Sequence, residues 1–134
     1  MELVHTEVLD GITYKLFISQ DDIPVRGNAM ASGDEAEDKA VEDEILSRLD
    51  DGDTWAWASV NVQASVTIDG EEFTGDDYLG GCCYHDTADF ITGNGYYDDM
   101  KNESRDALLT AVAETINRAG AVQVWYDAHK PVAA

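Results

Sequence analysis

The chain has 134 residues, with 28 acidic against 8 basic side chains and a formal net charge of −20. A surface so negative is repelled by DNA, RNA and anionic membranes, which excludes direct nucleic-acid binding and electrostatic membrane attachment. An apolar fraction of 44% excludes full disorder, and the length suits one domain, 1–134, that buries its core without staples.

The N-terminus, Met1-Glu2-Leu3-Val4-His5, has no basic n-region or long apolar run, so no signal peptide is read. No stretch approaches the roughly 18 apolar residues of a membrane span. The two cysteines, Cys82 and Cys83, are adjacent and cannot staple distant segments. Free thiols point to a reducing setting, so a cytoplasmic location is expected.

Val4, Thr6 and Val8 alternate before Asp10-Gly11, and Ile12, Tyr14, Leu16 and Ile18 alternate after it. Two alternating runs around Asp-Gly predict a hairpin with strands near 2–9 and 12–19. Residues 20–33, with Pro24, Gly27, Asn28 and Gly33, read as a loop. Ser32 and Glu35 form a Ser-x-x-Glu capping box, which predicts a helix over 34–49 with Val41, Ile45, Leu46 and Leu49 as its apolar stripe. Asp38 and Glu42 project near that stripe, so the first turns are expected to lift away from the core.

Residues 54–68 read as the clearest strand. Ala56, Ala58, Val60, Val62, Ala64, Val66 and Ile68 mark one face, and Trp55 and Trp57 begin the other, polar one. Asp69-Gly70 predicts a second hairpin turn into 71–75 or slightly beyond. Residues 76–95 read as a long loop holding Gly80-Gly81 and Gly93-Asn94-Gly95. A final helix over 96–118 carries Tyr97, Met100, Leu108, Ala111, Val112, Thr115 and Ile116 on one face, with Gly120 as its C-terminal cap. Ala121 to Tyr126 is an optional edge strand, and 128–134 a frayed tail. The expected fold is an α+β two-layer sandwich, ββαββα, with an antiparallel sheet from two hairpins and both helices on one face. Trp55 and Trp57 then lie on the opposite face, exposed, facing a partner or under a covering segment.

The acids are not interleaved with bases. Twelve of them and no base lie between Arg48 and Lys101. Asp34, Glu35, Glu37, Asp38, Glu42, Asp43 and Glu44 fall within eleven residues, about one carboxylate per 2 Å of helix axis. Duplex DNA carries about one phosphate charge per 1.7 Å. Acids in a helical first turn also complement the macrodipole, which accounts for Asp34, Glu35 and Glu37 without any partner.

In size, acidity and α+β layout the chain resembles small phage-borne inhibitors of bacterial defence, the anti-CRISPR and anti-restriction proteins that imitate DNA. The resemblance rests on the acidic segments 34–53 and 69–77. It is one of type, not of motif, so no residue role is carried over. The segment Tyr78-Leu79-Gly80-Gly81-Cys82-Cys83-Tyr84, followed by Gly95-Tyr96-Tyr97, also resembles short phage proteins of no assigned role. The resemblance implies a host bacterial cytoplasm and, as target, a CRISPR effector or a restriction enzyme.

Catalytic chemistry finds little support. Cys82, Cys83, His85, Asp86 and Asp89 are the one cluster of suitable residue types, but adjacent cysteines lack the Cys-x₂₋₄-Cys spacing of zinc sites. Calcium loops beginning at Asp50 or Asp69 place Trp55 at position 6 or Phe73 at position 5, and neither fits an EF-hand. No Walker, G-x-S-x-G or dinucleotide-binding pattern is present.

The sequence therefore predicts a non-enzymatic inhibitor without metal or cofactor, acting on a basic nucleic-acid-binding protein or complex. Asp34, Glu35, Asp38, Glu42, Asp43, Asp50, Asp51, Asp53, Glu71, Glu72, Asp76 and Asp77 are the residues expected to stand in for phosphates. The competing expectation is an accessory protein whose acidity serves solubility, as in salt-loving organisms, and whose interface is the face bearing Trp55 and Trp57.

Overall fold

The computed structural model describes residues 1–131. The chain runs through strands β1 (Glu2–Leu9) and β2 (Ile12–Gln20), helix α1 (Glu35–Asp50), a 3₁₀ turn (Thr54–Ala56), strands β3 (Ala58–Ile68) and β4 (Glu71–Cys82), and helices α2 (Thr87–Thr92) and α3 (Tyr96–His129). The four strands form one antiparallel sheet in the order β1-β2-β3-β4. Both hairpins turn on Asp-Gly, as the sequence predicts. Asp10 and Gly11, and Asp69 and Gly70, all have positive φ, the type I′ geometry that matches strand twist.

Alternation sorts the sheet into two faces. Tyr14, Leu16 and Ile18 of β2 and Val60, Val62 and Ala64 of β3 are buried on one face under α3. Tyr97, Met100 and Leu108 of α3 and Phe90 of α2 complete this core. Ser59, Gln63 and Ser65 of β3 and Thr13, Lys15 and Phe17 of β2 lie half-buried on the other face. Asn61, on that face, donates to an Asp76 carboxylate oxygen at 3.1 Å.

Gly75 explains how α3 seats itself. It faces Ala64 across the β3–β4 ladder, on the helix side of the sheet. A Cβ there would lie 2.2 Å from the Leu108 amide nitrogen and 2.3 Å from the Ser104 carbonyl oxygen. Those atoms are helix backbone and cannot rotate away. Ser104 and Leu108 are correspondingly buried. A glycine in a strand weakens it, but here it lets helix and sheet touch backbone to backbone.

Several expectations are corrected. β3 begins at Ala58 rather than 54, because Thr54–Ala56 is wound into the 3₁₀ turn. β4 continues to Cys82, and α2 follows it, so 76–95 is not a long loop. The N-cap of α1 is Asp34, whose carboxylate accepts from the Ala36 and Glu37 amides; Ser32 instead bonds Asp38. α1 does not join α3 on the sheet face. It packs at the sheet's end in a second, smaller core of Val25, Ile45, Ala56 and Trp57. α3 runs through Gly120 to His129, so Gly120 is no cap and Ala121–Tyr126 is no strand. Of the expected tail 128–134, residues up to His129 are helical, and 132–134 lie outside the described residues.

Replacing Gly75 by alanine is expected to lower stability by about 2–3 kcal/mol, because α3 must shift off the sheet. Chemical denaturation followed by circular dichroism measures this; a change within 0.5 kcal/mol, roughly that of a surface substitution, would contradict the contact.

Candidate functional site

The α1 end of the molecule holds most of the predicted acids, and several of them serve the fold. Asp34 caps the helix. Asp38 accepts from the Ser32 amide at 3.1 Å and its hydroxyl at 2.6 Å. Glu42 is buried, and its carboxylate accepts from the Gly27 amide at 2.6 Å and the Arg26 guanidinium at 3.4 Å. Arg26 and Lys39 also donate to Asp43, whose carboxyl is held below its ordinary range by the Arg26 hydrogen bond first. These bonds tie the 21–30 loop to α1. Asp53 pairs with Arg48 at 2.8 Å, and Arg48 also donates to the Tyr84 carbonyl at 2.6 Å, linking α1 to the chain after β4. Glu42 thus lies against the rest of the molecule, where lift-off of these turns was expected.

Among the described residues, Glu35, Asp50 and Asp51 remain exposed at the α1 end without a basic partner within 4.0 Å. Glu37 and Glu44, on the same helix, are exposed and equally free. Glu71 and Glu72 are exposed but sit at the far hairpin. The eleven residues of β3 separate that hairpin from the 3₁₀ turn on which α1 packs, roughly 36 Å of strand. The helix and the hairpin turn therefore do not form one continuous row. Asp76 and Asp77 lie between them on β4, Asp76 on the open face and Asp77 on the helix side.

Trp55 and Trp57 are buried, which overturns the tryptophan-bearing sheet face. Trp55 stacks on Phe90 and donates its indole N–H to Thr87 at 2.9 Å. Trp57 donates to the Ile23 carbonyl at 2.8 Å and packs under α1. The 3₁₀ turn rotates both rings out of the strand's alternation, so sheet periodicity does not apply to them.

The cysteine segment is brought beside Asn94 and Tyr96 around an open pocket of about 280 Å³ that Gly80, Gly81, Cys82 and Cys83 line. Burial pushes the Cys82 thiol up to about 11, and burial also raises Cys83 against the opposing effect of Arg48. Neither is an activated nucleophile. His85 donates its amide to Asp89, a helix-capping contact. Among the described residues no group of three metal-ligating side chains converges.

Sequence reasoning missed one polar cluster. Glu7 of β1 accepts from Lys101 at 2.7 Å and from the Tyr97 hydroxyl at 2.9 Å, and the Lys101 ammonium also sits 4.6 Å above the Tyr97 ring. The Lys101 hydrogen bond is the chief reason that the Glu7 carboxyl stays below its ordinary 4.5. The partners lie 90 and 94 residues from Glu7 along the chain, and no local pattern announces them.

A carboxyl with a depressed folded-state pKa adds stability above its unfolded value and loses it as pH falls through the folded one. The stability gap between the wild type and Glu7→Gln is therefore expected to be full above pH 4.5 and to shrink below it, as read from denaturation midpoints at each pH. A gap that stays constant through acid pH would contradict the pairing. Thiol labelling of the native chain should modify Cys83 alone, Cys82 reacting only after unfolding; rapid native labelling of a Cys83→Ser variant would refute this. No protein-family model, curated protein or solved structure matches this chain.

Proposed function

We propose that the chain is a non-enzymatic inhibitor that occupies the basic, nucleic-acid-binding surface of another protein or complex, such as a CRISPR effector or restriction enzyme. One observation carries the reading. Of the 28 acids, only Glu7, Glu42, Asp43, Asp53, Asp98 and Asp127 have a lysine or arginine partner within 4.0 Å among the described residues. A surface left so uncompensated costs stability through self-repulsion, and a cationic partner relieves that cost.

The acids assigned to the partner are the free ones: Glu35, Glu37, Glu44, Asp50 and Asp51 at the α1 end, and Glu71 and Glu72 at the hairpin. Asp34, Asp38, Glu42, Asp43 and Asp53 act indirectly, by holding α1 in place. The two groups lie on either side of β3, a strand roughly 36 Å long, so the reading favours a partner surface extended enough to meet both. No catalytic step and no cofactor is assigned.

The test is capture of partners from a bacterial lysate with the tagged chain, followed by elution with salt or duplex DNA. A basic nucleic-acid-binding complex is expected, with affinity falling on the order of tenfold or more between low and moderate salt. Neutralising Glu35, Glu37, Glu44, Asp50 and Asp51 to their amides should abolish capture while leaving the far-ultraviolet spectrum unchanged. Capture that ignores salt, DNA and this variant would overturn the reading.

A further inference from the structure

A pocket of about 200 Å³ lies between the tip of the β1–β2 hairpin and one edge of α3. Asp98, Lys101, Asn102 and Arg105 recur at three- and four-residue spacing and form its helical wall. Asp10 stands on the hairpin side, where its positive φ belongs to the turn. Tyr14 supplies the floor. It pairs with Glu7 and Ala64 on the helix side of the sheet, so its ring lies beneath α3 and is only 4% exposed.

Three of these groups lack a partner among the described residues. The first is the Tyr14 hydroxyl. A buried phenol needs a hydrogen-bond partner, yet Glu7, its cross-strand neighbour, gives its carboxylate to Tyr97 and Lys101 instead. Among the described residues every fully enclosed side-chain nitrogen or oxygen has a partner, so the Tyr14 hydroxyl is not enclosed, and the space it reaches is this pocket. The second is Arg105. Its guanidinium bonds the Asn102 side-chain oxygen at 3.4 Å and has no carboxylate within 4.0 Å, in a chain of 28 acids. The third is Asp10, which has no lysine or arginine within 4.0 Å. Lys101 is already taken by Glu7 at 2.7 Å and Asp98 at 3.4 Å.

The pocket thus offers one unpaired cation, one unpaired anion and one idle hydroxyl. A bare anion is opposed by Asp10, Asp98 and the −20 of the whole chain, and a bare cation by Arg105 and Lys101. A zwitterion meets each charge with its opposite and adds no net charge. The volume lies below the roughly 300–1,000 Å³ of pockets for drug-sized ligands, which limits the occupant to a small molecule of few heavy atoms. We propose that the pocket binds a free α-amino acid, its carboxylate on the Arg105 guanidinium and the Tyr14 hydroxyl and its ammonium on Asp10. Charge-assisted bonds of this kind are the strong ones, and a guanidinium matches a carboxylate with two parallel N–H donors. Asn102 orients the guanidinium through its bond to Arg105. The site uses none of the acids assigned to a basic partner, so it stands or falls apart from the inhibitor reading.

Nuclear magnetic resonance titration of the full chain with each standard amino acid in turn tests this, with acetate and methylammonium as single-charge probes. At least one amino acid is expected to saturate shifts at the amides of Asp10, Tyr14 and Arg105 with a Kd of about 1 mM or tighter. Acetate and methylammonium, each lacking one ion pair, should bind about tenfold or more weakly. Arg105→Gln and Asp10→Asn should each weaken binding by about the same factor. Glutamine keeps the helix and asparagine keeps the turn, so neither change disturbs the fold. Tyr14→Phe should weaken binding about fivefold and leave Tm unchanged, because its hydroxyl bonds nothing in the chain. No saturable binding of any amino acid up to about 10 mM, which would mean that the pocket holds water alone, would overturn the proposal. So would acetate binding as tightly as the amino acids, or an affinity indifferent to Arg105→Gln and Asp10→Asn.

Discussion

The backbone contact between Gly75 and α3 governs the rest of the structure. Because residue 75 lacks a side chain, the Leu108 amide and Ser104 carbonyl come down onto β4. That close approach sets the height of the helix above the sheet. It lets Tyr97 and Lys101 reach Glu7 on the opposite edge strand, and it brings Leu108 into the core beside Val60 and Val62. The direction of the helix then carries its last turns past the Asp69–Gly70 hairpin, and every residue from Ile116 to Pro131 is exposed.

Charge imposes the second constraint. A chain of −20 cannot place its carboxylates at random, and two populations result. One is structural: Asp34 as cap, Glu42 buried on the Gly27 amide, Asp53 on Arg48 and Glu7 on Lys101. Three of the eight lysines and arginines are consumed by this group. Arg26, Arg48 and Lys101 each bind an acid that belongs to a different element. The other population has no lysine or arginine within 4.0 Å among the described residues and includes the exposed acids of α1 and of the β3–β4 hairpin. Its field extends about a Debye length, roughly 10 Å at 0.1 M salt, which is the range over which a basic surface would be drawn in.

Much of the fold was legible because local rules agreed with the final packing. Asp-Gly between alternating runs located both hairpins, and the period of Val60, Val62 and Ala64 identified the buried face of β3. What was not legible depends on contacts distant in sequence. Trp55 and Trp57 continue the strand's alternation on paper, but the pairings with Thr87 and Ile23 wind their segment into a 3₁₀ turn and bury both rings. Gly120 has the residue type of a helix cap, yet the apolar period continues past it at Val122 and Tyr126, and that period was the signal that would have extended α3 to His129. The acidic helix was recognised as a dense row of charge. Which carboxylates are free was not, because Arg26 and Gly27, the partners of Glu42, come from a loop with no periodicity to place it.

Amide hydrogen exchange on the dilute full-length chain tests the central claim most directly, namely that α3 is held at Gly75 and unsupported beyond the hairpin. Stability within a fold is uneven, and unpacked backbone opens first. The amides of residues 101–112 should exchange as slowly as those of β3, and those of 117–129 much faster. Uniform protection along the whole helix, or rapid exchange at Leu108, would contradict the account.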